Sequence, residues 1–165
     1  DTGWVTVALP CLQGNDCRGV VTFGGENAED LHGAFEVWRR NDRGELGLTD
    51  GWFANLDRLE QISQFVKFPQ RAGLPGRVWD DRFPRVLGAL QDSKHFIRVA
   101  AARTEQLSSA LGIPFMRTPP ELDAVLLILN TKATPIAGVM EVWARDLESG
   151  RLKIISADYG PYTEL

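Results

Sequence analysis

The chain has 165 residues, 44% of them hydrophobic and 24% charged, with a net charge of -4 and a pI near 5.2. That size and composition suit one globular domain with a core of its own, and no stretch concentrates Lys and Arg into the basic stripe of a nucleic-acid binder. The longest aliphatic run, Ala124 to Leu129, has the length of a buried strand and falls far short of the ~20 residues a membrane span needs.

Two cysteines make no disulfide framework, and the cytoplasm is the expected compartment. The chain starts at Asp1 rather than Met, which fits a fragment or a processed chain.

Strand signals come first. Val5 to Leu9 and Gly19 to Phe23 are β-branched or apolar runs, and Gln13-Gly14-Asn15-Asp16 between them is turn chemistry, which predicts a hairpin. A second hairpin follows, with strands over 34–40 and 45–53 joined by Asn41-Asp42-Arg43-Gly44. The period then changes. Asn55 is the expected cap of a helix carrying Leu56, Leu59, Ile62, Phe65 and Val66, which Pro69 stops. Gly73-Leu74-Pro75-Gly76-Arg77-Val78-Trp79 predicts a loop entering a short helix, with Pro75 in its first turn.

A short strand is expected over 85–90. Asp92 or Ser93 should then cap a helix through Phe96, Ile97, Val99, Ala100 and Ala101 to about Glu105. Residues 107–116 read as a strand bent at Gly112 and Pro114, Ala124 to Leu129 as the most buried strand, and 136–145 with 152–157 as a last hairpin. Strands, helices, then strands predict an α+β fold: a central, mainly antiparallel sheet of about six strands flanked by helices.

The sequence also repeats. Phe35-Glu36-Val37-Trp38-Arg39-Arg40-Asn41 matches Met140-Glu141-Val142-Trp143-Ala144-Arg145-Asp146 at an offset of about 105 residues. Leu9-Pro10 answers Ile113-Pro114, Gly19-Val20-Val21 answers Ala124-Val125-Leu126, and Leu46-Gly47-Leu48 answers Leu152-Lys153-Ile154. Ordered flanking matches of this kind favour a duplicated module, or a chain cut across tandem modules.

The Gly-Leu-Pro-Gly-Arg-Val-Trp segment at 73–79 resembles a turn common in bacterial GAF domains. Arg82 to Leu87, Phe96 to Ala102, Leu107 to Pro114 and Ile136 to Trp143 resemble further segments of that family, in the family's order. The resemblance covers roughly residues 34–146 and implies a single GAF-like domain over 1–165. The extra N-terminal hairpin, about 4–23, looks like a copy of the family's late strands and so derives from a preceding GAF-like repeat. A GAF-like domain implies a sensory or regulatory module that binds a small molecule, forms a homodimer or joins a fused signalling domain, with no enzymatic activity. The resemblance names no cofactor, since members bind cyclic nucleotides, bilins, haem or metabolites, and many only dimerise.

The family's cavity implies a pocket between the sheet and residues 74–105. Its candidates are Trp79, Leu90, Phe96, Arg98, Ala101, Thr104, Ser109, Leu111 and Glu141, with Trp79 and Phe96 as apolar wall and Arg98, Thr104 and Ser109 as polar anchors. Glu36, Trp38 and Arg40 share one strand face, as do Glu141, Trp143 and Arg145. Those faces meet either a ligand or interface, or a covering helix.

Cys11 and Cys17 read as reduced structural thiols, and His32 and His95 lack metal-ligand spacing. No paired acid and base stands out. The alternatives are a structural dimerisation module without ligand and, behind it, a cysteine-dependent reductase of free methionine sulfoxide. The family's reductase carries its cysteines on central strands and lid loop, where this chain has none.

Overall fold

The computed structural model describes residues 4–26, 31–118 and 120–162. In chain order the elements are β1 (Trp4–Gln13), β2 (Asp16–Glu26), β3 (Gly33–Arg40), β4 (Leu46–Phe53), α1 (Asp57–Phe65), β5 (Lys67–Phe68) and α2 (Gly73–Asp81). Then come β6 (Arg85–Leu87), α3 (Val99–Thr104), β7 (Leu107–Met116), β8 (Leu122–Thr131), β9 (Val139–Arg145) and β10 (Leu152–Asp158).

The strands form two antiparallel sheets. A six-stranded sheet has the order β5-β4-β3-β8-β7-β6, and a four-stranded one has the order β1-β2-β9-β10. The fold is α+β, with the central six-stranded antiparallel sheet that the sequence predicts. The second sheet is the departure from that expectation. The first and last hairpins, far apart in sequence, pair with each other through β2 and β9 instead of extending the central sheet.

The inner strands of the six-stranded sheet are buried on both faces, each by a different layer. Period-two alternation sends Ala34 and Trp38 of β3, Val125, Leu127 and Leu129 of β8, and Ala110 of β7 toward the helical layer. Leu59, Leu74, Val78, Leu90, Phe96 and Ala101 meet them there. The opposite alternation set, Ile128, Leu111 and Ile113, packs against Val21, Met140 and Val142 of the four-stranded sheet. Asn130 links the two layers: its side-chain amide donates to Ala137 O (2.6 Å) and accepts from Ala137 N (3.0 Å), while Ser109 Oγ donates to Asp158 (2.8 Å).

Both expected helix starts are revised. Asn55 takes positive φ (53°) outside α1, and Glu105 caps that helix by accepting from the Arg58 and Leu59 amides (2.8 and 3.1 Å). The helix expected from Ser93 begins only at Val99; Ser93 Oγ accepts from His95 N at 3.2 Å in a turn, which competes locally with helix. The 73–79 segment does enter a helix. Gly73 supplies the positive φ (60°) at its start, and a Cβ on Gly76 would lie 2.2 Å from the Pro69 carbonyl oxygen.

The repeated sequences adopt the same pairings. Trp38 pairs with Leu48 and Val37 with Asp50, leaving Thr49 as a bulge; Trp143 pairs with Ile154 and Val142 with Ser156, leaving Ile155. Across the other edge Trp38 faces Val125 and Val125 faces Pro114, just as Trp143 faces Val20 and Val20 faces Pro10. A further pair of bulges also corresponds, at Cys11/Leu12 and at Phe115/Met116. The four-stranded sheet therefore has the strand order, registers and bulges of β7-β8-β3-β4.

Candidate functional site

The sequence places a pocket between the sheet and residues 74–105; in the structure that space is filled with side chains. Leu90 and Ala101 are fully buried there, Phe96 and Arg98 nearly so, and Trp79 is partly buried against the same core. Arg98 is held by other side chains. Its guanidinium makes a forked ion pair with Glu36, with Nη2 donating to Oε2 at 2.9 Å, and Nη1 also donates to Ser63 Oγ. Its cation lies 5.4 Å from the Trp38 ring, 5.9 Å from Phe68 and 5.0 Å from Phe96.

The other candidates point elsewhere. Ser109 and Leu111 lie on the opposite face of the sheet, against the four-stranded layer. Thr104 is exposed and bonds Ala100 O (3.0 Å), and Glu141 lies on the outer face of the other sheet. The nine residues do not surround a common cavity. Glu36 and Trp38, whose role the sequence leaves open, pack beneath the helices, with Trp38 Nε1 donating to Glu36 Oε2 at 3.0 Å.

The room lies between the two sheets. A cleft of about 570 Å³ opens at the end where β1 and β2 turn, walled by Leu12, Phe83, Met116, Pro120 and Ile155. Three arginines line it: Arg18 of β2, Arg82 at the end of α2 and Arg145 at the end of β9. Arg82 takes the left-handed conformation (φ 54°) that stops α2, and its N–H bonds Val78 O, so the helix terminus sets the direction of the chain at the cleft.

The lining carboxylate, Asp81, is engaged by Arg85 in an i,i+4 ion pair. Arg18 donates to Gln13 Oε1 at 3.0 Å. Among the described residues, neither Arg82 nor Arg145 has a carboxylate partner. The cleft thus carries excess positive charge on a partly apolar wall, in a chain whose net charge is negative.

Sequence reasoning passed over these arginines. They come from positions 18, 82 and 145, each unremarkable in its own segment, and only the pairing of β2 with β9 brings two of them together.

Cys11 also borders the cleft. Burial, and then the neighbouring Cys17, push its thiol up to about 11, the opposite of what a reactive thiolate needs. Both cysteines are free, Cys17 Sγ lying 3.3 Å from Gly19 O. His32 Nδ1 is 2.8 Å from Thr134 Oγ1, and His95 is exposed on its turn. No helix of the described residues is long and apolar enough to cross a membrane.

No family model and no curated protein matches the chain. Similar solved structures include the GAF domain region of a protein from Geobacter sulfurreducens PCA, 10% identical, with a TM-score of 0.49 over 66% of this chain and 69% of that one. The NreA protein of Staphylococcus aureus, altered in its nitrate-binding site, is 15% identical, with a TM-score of 0.49 over 66% of this chain and 80% of that one.

Proposed function

We propose that the chain is a GAF-like sensory or regulatory module that binds a small organic anion in the cleft between its sheets, and that it is not an enzyme. The observation that carries this reading is the set of arginines at positions 18, 82 and 145 around a carboxylate already neutralised by Arg85. Guanidinium forks suit carboxylate and phosphate groups. The apolar wall suits the body of a metabolite, and about 570 Å³ is within the range of small-molecule sites.

The position also suits a sensor. Cys11, Arg18, Arg145 and Ile155 come from the four-stranded sheet, Met116 from the six-stranded one, and Asp81 to Phe83 from the end of α2. An anion bridging these walls favours whichever spacing of the two layers lets the arginines converge, and differential affinity for two spacings is what a signal requires. The output on this reading is a dimer contact or a fused signalling domain, in the cytoplasm.

Calorimetric titration with inorganic phosphate, benzoate and adenosine monophosphate tests it. An organic anion should bind better than phosphate, and Arg145→Gln should weaken that binding about tenfold while leaving the unfolding transition in place. Equal binding by wild type and Arg145→Gln, or no heat with any of the three, would remove the cleft from the account. The second reading, a structural dimerisation module, gains from the filled space under the helices; a dimer that forms with no anion response would favour it.

A further inference from the structure

The outer face of the four-stranded sheet repeats a face that the helical layer covers on the six-stranded sheet. Trp38, Leu46 and Val125 are fully buried under that layer. Their equivalents are uncovered: Leu152 is 46% exposed, and Trp143 and Val20 are only partly buried; Ile154, the counterpart of the partly buried Leu48, is 41% exposed.

The polar centre is repeated as well. Trp143 Nε1 donates to Glu141 Oε2 at 3.0 Å, as Trp38 Nε1 does to Glu36 Oε2. The remaining partners differ. Glu36 receives Ser63 and Arg98 from the helical layer. Glu141 receives the hydroxyls of Thr22 (3.1 Å) and Tyr159 (3.0 Å), and among the described residues no cation pairs with it.

We infer that this face is the docking surface for the helical layer of a further repeat, a segment like residues 54–106 that lays an arginine on Glu141 as Arg98 lies on Glu36. Two independent features specify the occupant. The matched registers and bulges give it the shape of a layer that fits this sheet. The unpaired carboxylate, already oriented by the indole N–H of Trp143, gives it a cation. Apolar contact with Trp143, Ile154 and Leu152 supplies the driving force, and the forked pair with Glu141 sets the register. The inference does not rest on the anion cleft, which opens at the end of the same sheet where β1 and β2 turn.

The test adds a polypeptide with the sequence of residues 54–106 to the full chain and follows the Trp143 indole N–H by NMR, assigned with Trp143→Phe. The expected result is a saturable shift of that signal. Affinity should fall at least tenfold when the chain carries Glu141→Gln and, separately, when the added polypeptide carries Arg98→Gln. Glu141→Gln changes an outer-face residue, and an otherwise unchanged spectrum shows that the chain still folds.

Three results would each overturn the inference. One is no shift at millimolar polypeptide, and another is equal binding by the Arg98→Gln polypeptide. The third is a shift that grows with chain concentration alone, which would assign the face to a second copy of the chain.

Discussion

Arg98→Met removes the guanidinium from the Glu36 pair while keeping an unbranched apolar side chain. Both ion-pair side chains are essentially out of water, at 1% and 0% exposure, so salt and solvent do little to weaken their attraction. The substitution leaves Glu36 buried with two donors, Trp38 Nε1 and Ser63 Oγ, and no cation. Breaking a buried pair from one side costs about 3–5 kcal/mol, and loss of the cation from beside three aromatic rings adds to this.

Replacing both partners tests whether the pair is the cause. Glu36→Gln/Arg98→Met keeps an acceptor for the Trp38 indole but removes the stranded charge, so it should recover at least about 1.5 kcal/mol relative to Arg98→Met alone. Urea unfolding followed by tryptophan fluorescence and far-UV circular dichroism measures both, provided the two transitions coincide. A cost below about 1 kcal/mol for Arg98→Met, or strict additivity in the double variant, would refute the assignment of Arg98 as a core residue held by Glu36.

Ala101→Phe enlarges a fully buried side chain in the filled layer and should destabilise by about 1–3 kcal/mol in thermal or urea melts; an unchanged melting temperature would mean that open space exists there. Cys11, with its thiol raised by burial from the ordinary 9.0 to about 11, should alkylate with iodoacetamide at pH 8 more slowly than a free thiol. Because the folded state favours the protonated thiol, its contribution to stability is complete below about pH 9 and is lost between about 9 and 11. Cys11→Ala should flatten that part of the stability profile, and an unaltered slope would contradict the buried-thiol account.

Much of the strand architecture was legible because it is local. Turn residues between alternating runs located the hairpins, and the Glu-x-Trp repeat marked strands that do share registers and bulges. The division into two sheets was not legible, since it depends on Thr22 meeting Glu141 across 119 residues of chain. The helix at Ser93 was overread: the run Phe96, Ile97, Val99, Ala100 and Ala101 suggested one helix from the cap onward, whereas Ile97 is 53% exposed and the chain turns until Arg98 has reached Glu36. The nine pocket candidates lie apart for a related reason. Phe96 and Arg98 have the chemistry of a ligand wall, and sequence does not reveal that Glu36 and Trp38 already satisfy them. The cleft escaped notice because its arginines lie on separate elements, and the motif at 73–79 marks only the start of the helix that ends at Arg82.

The central claim, an anion held between the sheets, is tested most directly by following the arginine side-chain Nε–H signals of the full chain while adenosine monophosphate or benzoate is added. The account predicts that the signals of Arg18, Arg82 and Arg145 move together on one saturation curve, while Arg98, paired with Glu36, stays still. Movement of Arg98 without the other three, or no movement with either anion at millimolar concentration, would contradict it.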